Sequence, residues 1–157
     1  MTHLTKYSFG ATSAIVTSLA FIVSLSGNVE PQMPIIGSLL VFAVADNLSD
    51  SLGIHIFQES DLKKPGIVNT STLSNLATRF FVILSFIAIV YLLPIQAAVI
   101  TSAIWGISIL MTLSYLIAME QAHNPITDML LHLAIAVLVI ISSLLIRSWI
   151  TAFFGNP

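Results

Sequence analysis

Five apolar runs, divided by short polar turns, leave this chain few folds to choose from. They cover about residues 8–26, 34–59, 76–93, 96–119 and 126–146. Each is near the ~20 residues that carry an α-helix across the hydrocarbon core of a bilayer. The breaks hold helix-stopping residues: Gly27 to Gln32 with Pro31, then Pro94, then Glu120-Gln121-Ala122-His123-Asn124-Pro125. Pro34 stands near a helix start, where its missing N–H costs little. Asp61–Asn75, with Lys63, Lys64, Pro65, Gly66 and a Thr/Ser run, is the longest polar connection. Lipid-exposed backbone must satisfy its own hydrogen bonds, and the alternation of barrel strands is absent, so the spans are expected to be helices. The expected fold is all-α, an integral membrane bundle of five transmembrane helices forming one domain over residues 1–157.

Composition agrees. The chain is 57% hydrophobic and 8% charged, against about 25% charged in soluble domains, and its mean hydropathy is +1.00. Seven acidic and five basic residues leave no basic footprint for nucleic acid. The absence of cysteine excludes disulfides, thiolate metal sites and cysteine nucleophiles. The apolar run after Lys6, from about Tyr7 to Ser26, reads as a membrane span rather than the compact core of a cleavable signal.

Charge sets the expected orientation. Lys6, Lys63, Lys64 and Arg79 flank the first three spans on one side if the N-terminus is inside, and Arg147 falls on the other. The positive-inside rule then favours an inside N-terminus and an outside C-terminus. Small residues recur every four positions at Gly10, Ala14 and Ser18 and again at Ala98, Ser102 and Gly106, a spacing that lets helices approach closely. It serves packing within one subunit or a dimer interface, and the thinness of a five-helix bundle favours a homodimer.

The second span is the polar one. Asp46 and Asp50 are four residues apart and share a helical face, with Ser49 and Gly53 beside them. His55 lies about 180° round the helix from Asp46, at 100° per residue, with Glu59 one turn further on. A charge near the bilayer centre costs at least a few kcal/mol (~3) unless paired or hydrated. Arg79, at the start of the third span, could pair with Asp50 or Glu59. Two ionised carboxylates one turn apart repel, and a proton or a divalent cation relieves that repulsion. Such a pair is suited to proton-coupled metal exchange. Secondary candidates for a metal are Glu120, His123, Asp128 and His132, a carboxylate and imidazole set that suits Fe(II), Mn(II) or Zn(II). Asp128 also suits the first turn of a helix for dipole reasons alone, and Met111, Met119 and Met129 read as packing residues.

The first two spans resemble the vacuolar iron transporter family. That family opens its first span with a Gly-Ala-Ser-Asp-Gly-like motif and closes it with a Gly-Leu-Ser-Gly-like one. Here Gly10-Ala11-Thr12-Ser13-Ala14 and Ser24-Leu25-Ser26-Gly27 occupy those places. Its second span carries a Ser-Met-x-x-Gly-Glu-Tyr-like motif, matched by Ser49-Asp50-Ser51-Leu52-Gly53-Ile54-His55, with Ser49 and Gly53 kept. The resemblance implies a dimer that moves Fe(II) or related ions out of the cytosol, driven by protons, along a path between the first two spans. Ser13 replaces the family's Asp, Asp50 its Met and Ile54 its Glu, and the family's long Glu-rich cytosolic insert is reduced to Asp61–Asn75.

The expected function is therefore proton-coupled export of a divalent transition metal, Fe(II) or Mn(II), as transported substrate with no resident cofactor. The expected pathway residues are Ser13, Asp46, Ser49, Asp50, His55 and Glu59. Its expected place is a multi-pass position in a membrane, the cell membrane in a prokaryote. The alternatives are a non-transporting membrane subunit and, less favoured, an enzyme holding Mg(II) on a lipid diphosphate. Such enzymes use more Asp and basic residues than this chain has, so it is not expected to be an enzyme.

Overall fold

A computed structural model describes residues 5–60 and 65–155, with side chains described at 10–53, 55–57 and 73–155. Six α-helices and one π-helical turn follow one another: α1 (Thr5–Leu25), α2 (Gln32–Val41), the π turn (Phe42–Asp46), α3 (Asn47–Ser60), α4 (Pro65–Leu92), α5 (Ile95–Glu120) and α6 (Pro125–Phe154). No strand occurs among the described residues. The segments α2, the π turn and α3 run on without a break, so the described residues form five helical rods. Among the described residues, four are long and apolar enough to cross a bilayer, and the apolar part of α1, Gly10–Leu25, is shorter.

Local chemistry sets most of the ends. Pro94 precedes α5 in an extended conformation, and Pro125 opens α6 while the Asn124 side chain accepts a hydrogen bond from the Ile126 N–H at 3.1 Å, a side-chain cap for an otherwise unpaired donor. Gly155 closes α6 at φ 84°, where a side chain would be strained.

Two ends fall elsewhere than the apolar runs suggest. Helix α4 starts at Pro65, not near Leu76, so most of the polar Asp61–Asn75 connection is helical. Pro65 sits well at a helix start, and the Thr/Ser run that follows is compatible with helix where a neighbouring rod supports it. Helix α6 continues to Phe154 rather than stopping near Ile146, because no breaker intervenes before Gly155. Lys63 and Lys64 lie outside the described residues, as does the Lys6 side chain.

Long-range hydrogen bonds fix which ends lie together. Gln32 Nε2 donates to the carbonyls of Val90 at 3.2 Å and Leu93 at 3.0 Å, joining the start of α2 to the end of α4. Arg147 Nη1 donates to Ser26 Oγ at 3.2 Å, bringing the last third of α6 to the same end. The α3–α4 junction and the α5–α6 turn therefore lie at the opposite end.

Helix α1 is the central rod, packed against α2, α4, α5 and α6. Ala14, Ile15, Leu19 and Ile22 on α1 are buried with Ile83, Phe86 and Val90 of α4 and Leu39 of α2. Ala98, Ser102 and Gly106 are also buried, and a Cβ at Gly106 would stand 3.1 Å from side-chain atoms of Ile15 and Leu19. Lipid tails are as apolar as these side chains, so close packing rather than water exclusion holds the rods together. The exposed Leu130, Leu138 and Leu145 of α6 suit a lipid-facing surface.

Candidate functional site

The polar residues of the second span converge on one arginine. Arg79, on α4, has a side chain with no exposure. Its Nη2 donates to Asp46 Oδ2 at 2.5 Å, and its Nη1 donates to Asp50 Oδ2. One guanidinium thus bridges two carboxylates a helical turn apart, an arrangement its planar fork of donors allows. Asp46 keeps 46% of its side chain exposed and Asp50 keeps 34%. With all three groups ionised the cluster carries one net negative charge.

The π turn positions it. Asp46 is the last residue of the turn and Phe42 its first. The Arg79 guanidinium carbon lies 5.4 Å from the Phe42 ring centroid, within cation–π range. Both ends of the widened turn therefore address the same cation. Single π turns within α-helices recur at functional sites. On the inner side, Asn47 Nδ2 donates to the Leu76 carbonyl at 3.0 Å and ties α3 to α4. Gly10 of α1 meets α4 closely here, since a Cβ on it would lie 2.8 Å from the Asn75 carbonyl oxygen and 2.9 Å from Arg79 Cγ.

Several buried polar atoms in this seam find no partner among the described residues: Arg79 Nε, both Asn75 amide atoms, Asn47 Oδ1 and Ser51 Oγ. Buried polar groups are nearly always bonded to protein, ordered water or an ion, so this seam is chemically equipped to hold water or a cation. Asp46 also lines an open groove of about 590 Å³ together with Phe21, Ser38, Val41 and Phe42.

The other expected pathway residues are spread out. Ser49 is exposed on α3, Ser13 is half-buried on α1, and His55 is half-buried one face away. The Glu59 side chain lies outside the described residues. Gly10, Ala14 and Ser18 are buried inside the subunit.

The secondary metal candidates do not converge. His123 Nδ1 stands 3.7 Å from Asp128 Oδ2, a loose ion-pair distance, while Glu120 is exposed. His132 Nδ1 is 2.8 Å from Ser114 Oγ, whose proton goes to the Leu110 carbonyl at 2.7 Å. A hydroxyl has one proton, so this imidazole nitrogen is the donor. Among the described residues, no three His, Asp or Glu side chains gather as a metal-ligand set. Sequence reading missed Asn47, Asn75 and Ser51, polar residues that spacing alone does not distinguish from lipid-boundary or loop residues.

No family model, curated protein or solved structure was found to match the chain.

Proposed function

We propose that this chain is a proton-coupled transporter of divalent transition-metal cations, Fe(II), Mn(II) or similar, moving them out of the cytosol as a homodimer. The observation that carries the reading is the Asp46–Arg79–Asp50 cluster inside a membrane-length bundle. One guanidinium neutralises one carboxylate, so the pair retains capacity for one further positive charge. A proton at either Asp satisfies it. A divalent cation exceeds that capacity by one charge and competes with Arg79 for the two carboxylates, which couples metal entry to the α3–α4 ion pair. Neither carboxylate's Oδ1 accepts a hydrogen bond from Arg79, and the orphaned polar atoms of Asn47, Ser51 and Asn75 supply oxygen donors behind the cluster.

A second reading, a non-transporting membrane subunit, is favoured by a different feature of the same geometry. Arg79 occupies both carboxylates, and the described residues offer no third acidic or imidazole ligand. The ion pair would then serve helix packing.

Flux separates the two. Purified protein in proteoliposomes, with a metal-sensitive dye and a pH dye inside, is expected to show Fe(II) or Mn(II) movement with counter-movement of protons. Both signals are expected to fail in Asp46→Asn and Asp50→Asn. Wild-type protein with no flux of either metal favours the subunit reading, and wild-type-like flux in both variants removes the cluster from the pathway.

A further inference from the structure

Arg147 is the second arginine of the bundle, and its setting differs from that of Arg79. It is half-buried on α6, at the end where α1 turns into α2. Its hydrogen-bond partner is neutral: Nη1 donates to Ser26 Oγ at 3.2 Å. Among the described residues no carboxylate pairs with it, and Glu30 on the adjoining loop is exposed. The guanidinium instead lies against the Gly27 backbone, where a Cβ would overlap Nε, Cζ and Nη2. Glycine is thus required for this approach. The head group borders a cavity of about 210 Å³ with hydroxyl and amide groups from Ser24, Asn28 and Thr151 around it. A second opening, of about 480 Å³ beside Ser148 and Ala152, reaches Arg147 from the outer side of α6.

The level in the membrane is set by helix length. Helix α6 has 30 residues, about 45 Å at 1.5 Å per residue, against about 30 Å of hydrocarbon. The helix is thus long enough to reach beyond the hydrocarbon at one or both ends, and the composition of its last turns suits the headgroup layer. Trp149, Phe153 and Phe154 are exposed there, and Trp149 contacts both phenylalanines. Aromatic residues of this kind mark the membrane–water interface. A cation beside them, without a carboxylate partner among the described residues and held by the Ser26 hydroxyl, which accepts from it, suits the phosphate layer. Arginine is matched to phosphate by its planar donor fork.

We infer that Arg147, Ser26 and the α1–α2 loop form a binding site for a phosphate-bearing anion, supplied by the headgroup of an anionic phospholipid. The 210 Å³ cavity takes a phosphate and part of a glycerol, and the outer opening gives a path for acyl chains to leave along the lipid face of α6.

The test uses full-length protein in mild detergent, with native mass spectrometry and thermal unfolding after addition of phosphatidylglycerol, phosphatidylcholine or inorganic phosphate. Wild-type protein is expected to retain phosphatidylglycerol in preference to phosphatidylcholine and to unfold at a higher temperature with it. Arg147→Gln is expected to weaken that retention about tenfold, the loss of one charge-assisted pair. Gly27→Ala is the second variant. It keeps the charge and meets only the far end of a flexible side chain, so the guanidinium swings out while the helices stay, and retention is expected to fall similarly. An Arg147-dependent response to inorganic phosphate without one to phosphatidylglycerol supports the anion site and assigns it to free phosphate. Equal retention of phosphatidylglycerol in wild type and both variants, with no phosphate response, overturns the inference.

Discussion

Arg79 decides how the polar half of the second span can exist inside a bilayer. Removing it leaves two carboxylates facing each other with no cation, and breaking a buried pair is far more damaging than its net worth suggests. Both carboxylates keep an exposed side, which moderates the effect. Arg79→Met is therefore expected to destabilise the protein by roughly 3 kcal/mol, read as a lower unfolding temperature in detergent. Adding Asp46→Asn and Asp50→Asn to Arg79→Met is expected to recover most of that loss, because no unpaired charge remains. A triple variant no more stable than Arg79→Met would refute this account of the cluster. At this scale the sequence was partly readable. Asp46 and Asp50 stood out as charges in an apolar run, and Arg79 was a nearby cation. That one guanidinium serves both was not legible, because it depends on how α4 is seated against the second rod. Nor was the role of Asn75, whose setting comes from the approach of Gly10 on another rod.

Among the helices, close approach is concentrated at particular glycines. Gly10 brings α1 against Asn75 and Arg79, and the nearest obstacles to a Cβ include α4 backbone, which cannot swing aside. Gly37 and Gly53 on the second rod have nothing within 4 Å of where a Cβ would stand. Gly10→Ala is thus expected to push α1 off α4 and lower the unfolding temperature by several degrees. Gly37→Ala is expected to be neutral or stabilising by about 0.5–1 kcal/mol, the helix-propensity gain. Thermal unfolding of the two variants side by side decides, and an equal effect of both would contradict the packing. Helix positions were largely legible, since apolar runs and prolines fixed five rods. The π turn was not: Phe42–Asp46 contains neither glycine nor proline, so nothing local in the run marks it. The early start of α4 was hidden for a related reason, since a Thr/Ser run is ambiguous until a neighbouring helix supports it.

For the whole molecule, five rods bring the start of α1 and the end of α6 to opposite ends of the bundle, and charge sets the expected orientation. Arg79 drops out of that balance, because it is sealed within the bundle and neutralised by carboxylates, whereas the rule counts cations in the flanking loops. The sequence expectation then rests on Lys6, Lys63 and Lys64, which flank the first three spans, against Arg147 near the end of the fifth. If Arg147 is held by a lipid phosphate, its pull on orientation is also reduced, and the case for an inside N-terminus strengthens. The chain contains no cysteine, so single cysteines report position without background. Glu30 sits on the α1–α2 loop and Asn124 at the α5–α6 turn, both exposed and at opposite ends of the bundle. In intact cells, Glu30→Cys is expected to react with a membrane-impermeant maleimide, and Asn124→Cys only after the membrane is permeabilised. The reverse pattern would invert the orientation and with it the proposed direction of transport. Labelling of both in intact cells would mean mixed insertion, which the two-fold-opposed arrangement of these loops does not allow for a single topology.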